Sequence, residues 1–150
     1  MKKPFVLGIY GKSNSGKTNL VVDLIKHFKK KDFKIASIKT SDKNISIDTP
    51  GKDTYRHGEA GSDFVVFSSN SETSFLIKKQ QKIKQIISFI SNFDDYDIIF
   101  VEGANDKDTP KIRIDDTNER ENTIYTYYGD FLRLVNIITE RMNKRIEKNE

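Results

Sequence analysis

Eight consecutive residues, Gly11-Lys12-Ser13-Asn14-Ser15-Gly16-Lys17-Thr18, follow the pattern G-x-x-x-x-G-K-[ST]. Glycines at the first and sixth positions let the backbone curl so that successive N–H groups face a chain of phosphates. A helix following such a loop adds its positive N-terminal end. On this reading Gly11 and Gly16 permit the turn and Ser13, Asn14 and Ser15 supply backbone donors. Lys17 reaches the β- and γ-phosphates, and the Thr18 hydroxyl coordinates Mg²⁺. The chemistry is the binding of a nucleoside triphosphate. Lys12 stands where, in one large class of P-loop proteins, a second lysine reaches the nucleotide of a partner subunit; the alternative is a lysine facing solvent.

Such a loop needs an acidic group at a neighbouring strand end to orient Mg²⁺ and its waters. Glu102 follows the apolar run Ile98 to Val101 and precedes Gly103. That places it at the carboxyl end of a strand, where ligands bind in open α/β sheets. Lys17 and Glu102 are thus the residues expected to carry any catalysis, with Thr18 and Glu102 on the metal. A second acid could come from Asp48 or Asp53, although an Asp before a helical run commonly caps it. The carboxylates at 94, 95, 106, 108, 115 and 116 fall in polar turns and are expected to be solvated. His27 is expected at the surface of the first helix, and His57 in a loop that could face the phosphates. No Asn-Lys-x-Asp segment is present to read guanine; Asn105-Asp106-Lys107-Asp108 has the letters in the wrong order.

The elements that must position these residues can be read from apolar spacing. Phe5 to Tyr10 is a short apolar run ending at the loop, as buried parallel strands do. Leu20, Val21, Leu24, Ile25 and Phe28 make one face of a helix over 17–30, and 33–39 reads as the next strand. A strand, a helix and a strand in sequence form a crossover unit. Residues 45–51 form a loop or short strand broken at Pro50-Gly51, and 53–60 a weak helix. Segments 63–68 and 74–78 are strand-like, 80–93 is helical, and 97–101 is a buried strand. Residues 104–121 are expected to be a mobile loop around the short strand 111–114. Segment 122–128 is β-like, and Phe131, Val135, Ile138, Met142 and Ile146 mark a last amphipathic helix. The fold class is α/β: a three-layer P-loop NTPase fold, mostly parallel sheet with helices on both faces, read as one domain over 1–150.

The chain has 150 residues, enough for one core without staples. It has no cysteine, which excludes disulfides, thiolate metal sites and a cysteine nucleophile. A net charge of +4, with both signs mixed along the chain, suits an anionic small molecule and argues against nucleic acid. No run approaches a membrane span, and the first residues have no signal-peptide cleavage pattern. The protein is read as cytoplasmic.

Three segments together resemble the molybdopterin-guanine dinucleotide biosynthesis protein B family, MobB. The first is Gly8 to Thr18 followed by Asn19-Leu20. The second is Ser37-Ile38-Lys39, then Asp48-Thr49-Pro50-Gly51-Lys52-Asp53-Thr54-Tyr55-Arg56-His57 and Ala60-Gly61. The third is Val101-Glu102-Gly103 with Pro110-Lys111-Ile112 downstream. The family usually carries a histidine where Thr40 stands here, and an aromatic residue and a lysine where Ala104 and Asn105 stand. The resemblance implies GTP and Mg²⁺ as cofactors, weak intrinsic GTPase activity and a homodimer. It also implies a partner: the MobA-type guanylyltransferase that attaches GMP to the molybdopterin cofactor. Carried over by position, Gly51, Lys52, Asp53 and Glu102 join the loop as site residues; Asn19 is counted with the nucleotide-binding residues, and Asp48 stands beside Thr18 and Glu102 as the further metal candidate.

Two other readings use the same loop. A small-molecule kinase would seat its acceptor between Gly51 and Gly61 and close Arg113 and Arg120 over it. A nucleotide-dependent adapter without significant catalysis would use the acidic 104–121 segment as a docking surface. The lack of an evident general base or arginine finger fits slow hydrolysis or none.

Overall fold

A computed structural model describes residues 3–147, with backbone only for the last two. The described residues gather into two compact units. One comprises the chain up to Ser41 together with Ile87 onward; the other is Asp42–Ile86.

The first unit is built on a five-stranded sheet of order β2-β5-β1-β6-β7, with every neighbouring pair parallel. Its strands are β1 (Phe5–Tyr10), β2 (Ile35–Lys39), β5 (Ile98–Glu102), β6 (Lys111–Ile114) and β7 (Thr123–Tyr127). All five residues of β5 are buried, the mark of a strand covered on both faces. Helix α1 (Lys17–Lys29) forms because Leu20, Val21, Leu24 and Phe28 fall on one buried face, and Lys26, His27 and Lys29 complement its negative end. Helix α4 (Phe131–Glu147) buries Leu134, Val135 and Ile138. These join Phe5, Leu7, Ile9, Ile98, Phe100, Ile112 and Ile114 in one core. Strand side chains alternate between faces, so that core covers the sheet face that carries the odd residues of β1. The side chain of Ile146 lies outside the described residues.

The second unit holds α2 (Asp53–Glu59) and an antiparallel two-stranded sheet of β3 (Phe64–Ser68) and β4 (Thr73–Ile77). Residues 45–51 form no strand. Helix α3 (Ile83–Phe93) carries the chain from this unit back into the first.

Several details differ from the periodicity. The strands at 64–68 and 73–77 pair with each other and stay out of the parallel sheet. β2 does not lie beside β1, because β5 separates them. β7 runs parallel to β6 across residues 115–122 with no helix between, although parallel neighbours usually need a longer, helical crossover.

Candidate functional site

The site stands at the carboxyl ends of β1, β2 and β5. The register Ile9↔Glu102 and Lys39↔Glu102 puts these three residues in one row across adjacent strands. Alternation turns all three to the α1 side of the sheet. The chain leaves β1 at Tyr10, turns through residues 11–16 and enters α1 at Lys17, so Lys17 and Thr18 stand above Glu102.

Local sequence explains the turn. A Cβ on Gly11 would lie 2.6 Å from Ser15 Oγ and 3.1 Å from Ile114 Cβ, so only glycine fits. Gly16 takes φ 88°, a conformation that costs glycine little. Gly16 is the N-cap of α1, no side chain caps the helix, and no acid lies in its first turn. The first amides of α1 are thus left for an outside acceptor. The buried Ser15 Oγ has no hydrogen-bond partner within the protein. The Lys17 ammonium folds back, donating to the carbonyl of Gly11 at 3.0 Å and to that of Lys12.

Glu102 is the acidic centre. Its Oε1 accepts the Thr18 hydroxyl at 2.8 Å and the Lys39 ammonium at 2.6 Å. Burial raises the pKa of this carboxyl, but the hydrogen bonds from Lys39 and Thr18 and the charges of Lys39 and Lys17 prevail and hold it below the usual range. Glu102 is therefore an anion at neutral pH. The strand end behind it is fixed by Gly103 N–H to Ile9 O at 2.8 Å and by Thr40 N–H to Glu102 O at 3.0 Å. Together Ser13 to Asn19, Lys39 and Glu102 line a cleft of about 410 Å³. A Mg²⁺–nucleotide group fits this donor set. Uncapped amides and Lys17 suit phosphate, while one hydroxyl and one carboxylate suit a cation that keeps other oxygen ligands. Among the described residues no group of three or more His, Cys, Asp or Glu could hold a metal alone.

Asp48, Gly51, Lys52 and Asp53 line a different cavity of about 620 Å³ within the second unit, with Ile47, Thr54, Phe67, Glu72, Ser74 and Leu76. Asp48 is buried there, accepting the Thr54 hydroxyl at 2.9 Å and the Lys78 ammonium at 3.3 Å. Burial opposes its ionisation, and the bonds from Thr54 and Lys78 outweigh it and keep the carboxyl below the ordinary range. Asp53 is the first residue of α2, whose N-cap is Lys52, and makes no capping bond. Lys12 is exposed, and its backbone N–H donates to Thr117 Oγ1 at 3.1 Å.

His57 is exposed on α2. His27 departs from a plain surface residue: its ring is half-buried edge-on to Phe28 and Phe131, and burial lowers its pKa, helped by Lys31 and Lys30. Asp106 departs from the solvated set. Its Oδ1 accepts the amides of Asp108 and Thr109, and its Oδ2 is buried without a partner. Both arginines suggested for a closing lid are committed. Arg113 bonds Thr126 and Thr117 and pairs with Glu119, while Arg120 stacks over Tyr10 and bonds the Gly103 and Ala104 carbonyls. Lys39 joins the site through its register with Glu102, which apolar spacing does not reveal.

The parallel sheet, the loop between β1 and α1 and the strand-end acid define an α/β protein of the P-loop class. Residues 6–140 match the family described as molybdopterin guanine dinucleotide synthesis protein B. The chain belongs to that family, MobB. It is 35% identical over 109 residues to the molybdopterin-guanine dinucleotide biosynthesis adapter protein of Haemophilus influenzae, a match covering 71% of this chain and 61% of that one. It is also 35% identical over 98 residues to a Methanocaldococcus jannaschii protein provisionally named as such an adapter, covering 65% and 40%. The matched region thus spans less than two thirds of either relative. The crystal structure of Bacillus subtilis MobB superposes with a TM-score of 0.69 over 89% of this chain and 96% of that one, at 15% identity, which supports the shared fold.

Proposed function

We propose that this protein binds GTP with Mg²⁺ at the cleft between the 11–18 loop and Glu102 and serves as an adapter in molybdopterin guanine dinucleotide formation. The observation that carries the reading is the pairing of Thr18 with an ionised Glu102 beneath an uncapped helix start. Lys17 exchanges its loop carbonyls for phosphate oxygens. Thr18 and Glu102 would hold the cation, whose charge would offset that of the β- and γ-phosphates. The guanine preference rests on the family and on the names of the relatives.

Hydrolysis by the protein alone is slow. Among the described residues Glu102 is the only carboxylate lining the cleft, and it is tied to Thr18 and Lys39, while Arg113 and Arg120 are engaged elsewhere. The protein acts as a cytoplasmic homodimer beside a MobA-type guanylyltransferase. Among the described residues no helix is long and apolar enough to cross a membrane. Equilibrium binding of labelled GTP and ATP, with and without Mg²⁺, tests the reading. GTP preference that depends on Mg²⁺ is expected, with Lys17→Ala weakening GTP by about 10- to 100-fold, the worth of a lost charged hydrogen bond. ATP preference would favour the kinase, and binding unaffected by Lys17→Ala would remove the P-loop assignment.

A further inference from the structure

The acidic centre holds a cation of its own. Lys39 Nζ lies 2.6 Å from Glu102 Oε1, the same oxygen that accepts the Thr18 hydroxyl. A carboxylate oxygen offers two lone pairs, and here both are engaged. The two side chains differ sharply in setting: that of Glu102 is 9% exposed and that of Lys39 is 62% exposed. The ammonium thus reaches a buried anion on a stem that is largely in water. Such a stem swings at little cost, and so exposed a partner adds little stability. Lys39 also lines the cleft formed by Ser13 to Asn19, so the acceptors of an incoming phosphate chain would lie within the same opening.

We propose that Lys39 is a built-in counter-ion: it occupies Glu102 in the nucleotide-free protein and transfers to a phosphate oxygen when nucleotide and metal enter together. The inference rests on the phosphate-and-metal reading of this cleft and adds a positioning residue to it. Two cations cannot share one carboxylate oxygen without repulsion. While Lys39 is in place, Glu102 recruits a divalent ion poorly. Phosphates supply a competing anion, release Glu102, and let Thr18 and Glu102 accept the metal. Metal binding therefore becomes conditional on nucleotide, and the coupling is reciprocal.

Mn²⁺ is the probe, its free concentration followed by electron paramagnetic resonance, on the whole protein and on Lys39→Gln and Lys39→Arg. Each protein is titrated alone and with a slowly hydrolysed GTP analogue. Removing a unit charge about 4 Å from a divalent ion in a largely aqueous setting should tighten Mn²⁺ binding in the absence of nucleotide about 30-fold. Lys39→Gln should also bind the analogue more weakly, and because its affinity for Mn²⁺ alone is already raised, the factor by which nucleotide enhances Mn²⁺ affinity should fall by a similar amount. Lys39→Arg retains the charge and should follow the wild type. Equal Mn²⁺ affinity in the Gln variant and the wild type, an unchanged enhancement factor, or an Arg variant that behaves like Gln would overturn the role. Tighter Mn²⁺ binding in Lys39→Gln without nucleotide binding by any variant would keep the Lys39–Glu102 antagonism and sink the nucleotide reading. Failure of every variant to bind Mn²⁺ under either condition would remove both.

Discussion

At the scale of single residues, the site depends on how few conformations its backbone can accept. Gly103 follows Glu102 with φ 88°, and a Cβ there would lie 2.6 Å from Thr40 Oγ1. That hydroxyl donates to Glu102 O at 3.0 Å, so moving it aside breaks one of the bonds that fix the strand end. Gly103→Ala should therefore destabilise the fold by about 2–4 kcal/mol, combining left-handed strain with overpacking. Chemical denaturation measures the loss; a change under about 0.5 kcal/mol, within the range of an ordinary surface substitution, would mean that Thr40 yields freely. The chemistry at this scale was largely legible. Lys17, Thr18 and Glu102 follow from a spaced motif and an apolar run that ends in an acid. Lys39 was less so, because its role comes from register with a strand about sixty residues away, and a lone lysine after an Ile carries no such mark.

At the scale of elements, the unusual feature is the helix-free link between two parallel strands, β6 and β7. Residues 115–122 are held by a closed ring of hydrogen bonds. The Arg120 N–H donates to Tyr10 Oη at 2.9 Å, Tyr10 Oη is 2.6 Å from Thr123 Oγ1, and Thr123 Oγ1 donates to Arg120 O at 2.6 Å. Because the threonine proton is spent on the carbonyl, the phenol must donate to threonine and accept from the amide. Lys111, fully buried, adds bonds from its ammonium to Thr109 O and Glu121 O, and burial lowers its pKa against the pull of Asp106. The link thus carries its own scaffold in place of a helix. Tyr10 is the last residue of the strand that feeds the phosphate loop, so the ring also anchors the start of that loop. Tyr10→Phe deletes two of the three bonds and leaves the Arg120 amide without its acceptor, at a cost of about 1–3 kcal/mol. Thermal unfolding of the variant checks this; an unchanged midpoint would show that water replaces the phenol. The elements around this link were legible from apolar runs. The ring was not, since its members lie more than a hundred residues apart and its geometry depends on β6 lying next to β1.

At the scale of the whole molecule, the two units differ in what holds them. The first has a continuous apolar core fed by β1, β5, β6, α1 and α4. In residues 42–86 the only buried hydrophobic side chain is Val65. Phe64, Val66, Phe75 and Ile77 lie on one face of the β3–β4 pair and are exposed, with the Phe64 and Phe75 rings 6.0 Å apart. A two-stranded sheet alone is marginal in water, and the sequence hid this because the alternation at 64–68 and 73–77 reads the same for a hairpin as for strands of a larger sheet. Local opening is cheapest where few apolar contacts are lost. Amide hydrogen exchange should therefore separate the units. Amides of β1 and β5 should exchange only by global unfolding, while those of β3 and β4 should open at a free energy more than about 3 kcal/mol lower. Hairpin protection equal to that of β1 would mean that its apolar face is covered in solution. Repeating the exchange at several protein concentrations would then decide whether a second copy is the cover, since protection supplied by association rises with concentration.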